Sequence, residues 1–139
     1  MRPIVFLLLL IALPTWADSP LRVAVAANFR QVLEQVNAGF TASTGQSVVL
    51  SSASTGVLYS QIIHGAPFDV FFAADQATPA LLTDAPSTPV CYARGSLVLT
   101  GGNGNLQDLA NGELSLAIAN PTTAPYGRAA SEILARPEF

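Results

Sequence analysis

Three short apolar runs, each leaving through a small polar turn, constrain the fold more than any other feature of this chain. Leu21-Arg22-Val23-Ala24-Val25-Ala26-Ala27 ends at Asn28, after which Phe29, Val32, Leu33, Val36 and Phe40 recur at close to helical spacing. Ser47-Val48-Val49-Leu50 runs into Ser51-Ser52-Ala53-Ser54-Thr55-Gly56, and a second helical pattern follows from Val57 to Ile63. Phe68-Asp69-Val70-Phe71-Phe72-Ala73-Ala74 is the third run, expected to be a strand buried on both faces, and it stops at Asp75-Gln76. Strands alternating with helices predict a parallel sheet with right-handed crossovers. The three turns then leave by one edge.

A strand-to-helix turn built from Ser, Thr and Gly presents backbone N–H groups and short hydroxyls, with the positive end of the helix dipole behind them. Ser51 to Gly56 is such a turn, an anion seat without a formal positive charge. Ordinary helix capping explains Ser and Thr at these positions without any ligand. The second junction, at Asn28, favours a shared site on the common edge.

Met1-Arg2-Pro3, the apolar stretch Ile4 to Leu13 and the small-residue exit Thr15-Trp16-Ala17 have the order of a cleavable export signal, with a hydrophobic part short for a membrane span. A membrane anchor is the competing interpretation. Removal of residues 1–17 would leave nine acidic residues against five arginines, and lysine is absent throughout. That balance argues against nucleic acid, whose binding rests on clustered Lys and Arg. A small anion is not excluded, because oriented neutral dipoles act locally whatever the net charge. Cys91 is the only cysteine, so an exported chain is held by its core and not by an internal disulfide.

Gly45 has the position of a left-handed helix exit. Thr78-Pro79-Ala80-Leu81-Leu82 predicts a short helix with proline in its first turn, and Thr83 to Pro89 a linker. Beyond it, residues 90–100 and 114–119 are strand-like, residues 101–105 form a Gly/Asn turn, and 106–110 a short helix. A third polar turn, Asn120 to Gly127, precedes a helix over 128–135. The resulting division is an export signal (1–17), a first α/β lobe (18–89), and a hinge strand with part of a second lobe (90–139).

His64, the only histidine, has no cysteines or clustered carboxylates with it to make a metal site. It is better placed as a partner of a helix C-terminus. Asp69 and Asp75 are expected to cap the ends of the third strand, since no second catalytic group accompanies them. A hydrolase using Ser54 or Thr55 as nucleophile would need a base and a group orienting it. No Gly-x-Ser-x-Gly elbow is present, and His64 lies beyond the far end of the helix that the nucleophile would begin.

Four blocks resemble the periplasmic molybdate-binding proteins of ABC transporters, within the type II periplasmic-binding-protein group. They are Val25-Ala26-Ala27-Asn28-Phe29; Ser52-Ala53-Ser54-Thr55-Gly56 with Leu58 to Ile62; Gly65-Ala66-Pro67-Phe68-Asp69-Val70-Phe71-Phe72-Ala73-Ala74-Asp75-Gln76; and Ala119-Asn120-Pro121 to Tyr126-Gly127. The third block is the most specific. The resemblance implies a periplasmic-binding-protein-like α/β fold with a parallel-sheet first lobe and the beginning of a second. It further implies a monomer that holds a tetrahedral oxyanion, molybdate or tungstate, without a cofactor or metal cation. The implied ligands are Asn28 and Ala27, Thr55 and Ser54, and Tyr126. A membrane permease with its ATPase is the implied partner, and the periplasm the implied compartment. Relatives continue through the rest of the second lobe and return to the first. A shortened, non-binding remnant and a binder of sulfate or another small anion therefore stand as alternatives.

Overall fold

A computed structural model describes residues 19–101, 106–112 and 115–137. The export-signal segment, residues 102–105 of the Gly/Asn turn and Leu114 lie outside the described residues. The elements are β1 (Leu21–Ala26), a 3-10 turn (Ala27–Phe29), α1 (Arg30–Thr44), β2 (Val48–Ala53), α2 (Thr55–Ile63), β3 (Val70–Phe72), a second 3-10 turn (Pro79–Leu81), α3 (Leu106–Ala110) and α4 (Pro125–Leu134). No helix among the described residues is long and apolar enough to cross a membrane.

The sheet is parallel, in the order β2-β1-β3. β1 pairs along its whole length with β2, from Leu21 opposite Val48 to Ala26 opposite Ala53, and its centre pairs with β3 through Val23 opposite Val70. Alternation along β1 sends its side chains to two faces. Val23 and Val25 form the core with Leu33 of α1, and Leu21, Phe29, Val48, Leu50 and Phe72 pack around them. On the other face Ala24 and Ala26 are buried, and their small side chains leave room for α2, whose Leu58 is buried as well. Asp69 pins the entry to β3: its N–H donates to the Arg22 carbonyl at 2.8 Å, and its carboxylate accepts the Arg22 N–H at 2.7 Å.

α1 closes at Gly45, which adopts φ +74° and donates its N–H to the Thr41 carbonyl at 2.9 Å, the left-handed exit expected there. Its apolar stripe is not the stripe it buries. Leu33 is buried, and Asn37 and Thr41, one and two turns further on, are half-buried and joined by a hydrogen bond. Val32, Val36 and Phe40 remain exposed.

Three further expectations are corrected. β3 is three residues long and lies at the sheet edge with Val70 exposed, so it is not buried on both faces. Residues 90–100 and 115–119 form no β-ladder with the other described residues, so they are not strands of the sheet. The last helix starts at Pro125, three residues early, which places Tyr126 and Gly127 in its first turn. Leu97 to Leu99 and Leu116 to Ala119 instead line an apolar cavity of about 440 Å³ beneath Ile133 and Leu134 of α4.

Candidate functional site

Because the strands are parallel, all three release the chain at the same sheet edge. The central exit, after β1, is the Ala27–Phe29 turn, with Ala27 and Asn28 exposed. The exit from β2 passes through Ser54, the N-cap of α2, in an extended conformation and with no side-chain capping bond. Thr55 begins the helix, is 1% exposed, and accepts the Ala74 N–H on its Oγ1 at 3.0 Å. The Gly56 N–H, which faces outward at this positive helix end, donates to the Thr123 carbonyl at 3.0 Å. Thr55 thus ties the start of α2 to the end of the third strand segment, and Gly56 ties it to the turn before α4.

After β3, Asp75 caps its own turn as expected. It accepts the Thr78 N–H at 2.8 Å and the Thr78 hydroxyl at 3.0 Å. The same carboxylate forms a 2.5 Å ion pair with Arg128 of α4. His64 sits at the C-terminus of α2, its Nδ1 2.6 Å from the Ser60 carbonyl. Among the described residues no three His, Cys, Asp or Glu side chains group closely enough to hold a metal ion.

A cavity of about 370 Å³ opens at this edge, lined among others by Asn28, Asp75, Gln76, Tyr92, Arg94 and Tyr126. Tyr92 forms one wall. Its ring packs on Phe29 and Phe72 at centroid distances of 4.9 and 5.2 Å, and its hydroxyl donates to the Ala73 carbonyl at 2.7 Å. Burial, with smaller contributions from Tyr126 and Cys91, raises the Tyr92 pKa above its ordinary value. It therefore remains a neutral donor at physiological pH. Gly95 lets the Tyr126 ring lie against it, since a side chain there would collide with the Tyr126 hydroxyl and push the ring aside. Gly127 is held more strictly, buried against the Ala119 carbonyl and the Asn120 backbone with no room for a Cβ.

Of the residues expected from sequence, Asn28 and Tyr126 meet at this cavity, whereas Ala27, Ser54 and Thr55 stand at the same sheet edge without lining it. Tyr92, Arg94 and Gly95 were not anticipated as site residues. Residues 90–100 look like an ordinary strand in sequence, and a polar or glycine interruption at 94–95 is the one local signal that could have drawn attention to them. Asp75 was anticipated only as a cap.

Residues 21–139 match the family described as bacterial extracellular solute-binding protein. The chain belongs to that family. Among its relatives, the molybdate-binding protein ModA of Azotobacter vinelandii is 42% identical over 125 residues, covering 83% of this chain and 50% of the relative. ModA of Rhodobacter capsulatus is 37% identical over 133 residues, covering 89% of this chain and 52% of the relative. A solved structure of an Azotobacter vinelandii periplasmic molybdate-binding protein superposes with a TM-score of 0.70 at 40% identity, over 82% of this chain and 54% of that one. The chain thus spans about half the length of the relatives it matches. At this identity the periplasmic-binding-protein fold expected from the four sequence blocks is established for the part described.

Proposed function

We propose that this chain captures a tetrahedral oxyanion, molybdate or tungstate, as the solute-binding component of an ABC importer. One observation supports this most directly: Asn28 from the turn after β1 and Tyr126 from the first turn of α4 line a single cavity. Both bring neutral donors, and relatives bearing the name molybdate-binding protein match across most of the chain. A dianion desolvated among several such donors is stabilised because each charge-assisted hydrogen bond contributes roughly 1.5–3 kcal/mol. Ala27 and Ser54 at the same sheet edge, and the hydroxyl proton that Thr55 retains after accepting the Ala74 N–H, complete the proposed donor set.

In this assignment residues 1–17 direct export to the periplasm, residues 18–89 and 90–139 belong to separate lobes, and the loaded monomer delivers its anion to a membrane permease with an ATPase. No catalytic step is assigned. Calorimetric titration of the chain lacking residues 1–17 with molybdate, tungstate, sulfate and phosphate tests it. Saturable heat with molybdate and tungstate is expected; heat with sulfate alone would change the ligand, and none with any of the four would remove the function.

A further inference from the structure

The three strand exits are not equivalent in how they meet the C-terminal part of the chain. β1 is the central strand, and its exit carries Asn28 into the cavity. β2 and β3 are the outer strands, and the exit of each is tied by a polar contact to the segment that carries Tyr126. On the β2 side the Gly56 N–H donates to the Thr123 carbonyl at 3.0 Å; on the β3 side Asp75 pairs with Arg128 at 2.5 Å. Tyr126 lies between Thr123 and Arg128 in the sequence, just as β1 lies between β2 and β3 in the sheet.

We infer that these two contacts are a clasp: they hold Tyr126 over the Asn28 turn and so set how long a bound oxyanion is retained. Asp75, Arg128 and Gly56 are positioning residues; this role rests on the oxyanion-binding function proposed above. Two details favour a clasp over incidental surface contacts. The Asp75 side chain is 16% exposed and is fixed by two further hydrogen bonds from Thr78, so its carboxylate is preorganised for Arg128. Gly56 lets the Thr123 carbonyl approach closely: a Cβ there would stand 3.1 Å from that oxygen and 3.3 Å from the Thr123 Cα, so the Thr123 backbone would have to give way by a few tenths of an ångström. Arg128 also masks a carboxylate in the wall of an anion cavity. Without it, Asp75 would repel the ligand.

The clasp predicts an order among variants. Arg128→Ala both opens one tie and bares Asp75, so molybdate affinity should fall roughly tenfold. Arg128→Lys keeps the charge and should stay within about threefold of the parent. Asp75→Asn/Arg128→Ala together should bind better than Arg128→Ala alone, because the bare carboxylate is gone. Gly56→Ala opens the other tie without touching any charge and should also weaken binding.

The test is calorimetric affinity for molybdate in these variants, combined with small-angle scattering of each without anion. Arg128→Ala and Gly56→Ala should show a larger radius of gyration than the parent, and added salt should expand the parent but not Arg128→Ala. A purely structural Arg128 would give neither the salt response nor the improvement in the double variant. Parent affinity and parent dimensions in both Arg128→Ala and Gly56→Ala would overturn the clasp, even with molybdate bound normally. If the parent binds no anion, the oxyanion function falls, and the clasp is then decided on the scattering alone. Should Arg128→Ala fail to fold, Arg128→Gln, which removes the charge and keeps most of the side chain, and Gly56→Ala carry the same comparison.

Discussion

Thr55→Val removes the Thr55 hydroxyl from both its structural and its proposed ligand-binding use, and each loss has its own readout. Thr55 is 1% exposed, and its Oγ1 is the acceptor for the Ala74 N–H at 3.0 Å. Valine fills the same space, so no cavity forms, but the Ala74 N–H loses its partner. Stranding a buried donor costs about 1–3 kcal/mol. Ala74 is only half-buried, and the new methyl gains some apolar burial, so the net loss should be close to 1 kcal/mol. With a urea dependence of roughly 1–1.5 kcal/mol per molar for a domain of this size, the unfolding midpoint should drop by a little under 1 M. Thr55→Ser keeps the oxygen and removes a buried methyl, and its stability cost is of similar size, about 1 kcal/mol. Amide hydrogen exchange distinguishes the two: the Ala74 amide should exchange markedly faster in the valine variant and at near-parent rate in the serine variant. Unchanged Ala74 protection in Thr55→Val would refute the assigned hydrogen bond. Under the proposed function the valine variant also loses roughly 1–3 kcal/mol of molybdate binding while serine retains it, measured by calorimetry.

Ser54→Ala should change stability by less than about 0.5 kcal/mol in urea unfolding, below the usual cost of ~1 kcal/mol for losing an N-cap, because the Ser54 side chain makes no capping bond. Tyr92 holds its proton more tightly folded than unfolded, so the stability it contributes is complete below pH 10.0 and is lost as pH rises through the higher folded-state value. Tyr92→Phe should flatten that alkaline loss in pH-dependent thermal unfolding, while lowering stability at neutral pH by about 0.5–1.5 kcal/mol through the missing bond to Ala73. Gly127→Ala should lower the thermal midpoint clearly, since its Cβ meets the Ala119 and Asn120 backbone and not a movable side-chain tip. Gly95→Ala displaces the Tyr126 ring instead and should alter its near-ultraviolet dichroism.

The legible features were those with a local cause. Periodicity placed α1 and α2, the Gly45 exit was given by the need for positive φ, and the Asp75 cap by its place at the end of the third apolar run. Residues 90–100 misled because an extended apolar run looks the same with or without a neighbouring strand. Val32, Val36 and Phe40 misled because spacing alone does not say which side of a helix meets the sheet. Tyr92 was missed because its role depends on Phe29, Phe72 and Ala73, none of them near it in sequence.

By itself the sequence determined a β-α alternation, a parallel sheet and three polar exits along one edge, since turn chemistry and side-chain period act within a few residues. Only the tertiary structure decided that β1 lies between β2 and β3, that Asn28 and Tyr126 share a cavity while Thr55 is turned to Ala74, and that Arg128 reaches Asp75. Strand order and side-chain partnership follow from packing between segments far apart along the chain, and no local pattern encodes which distant backbone a given donor will meet.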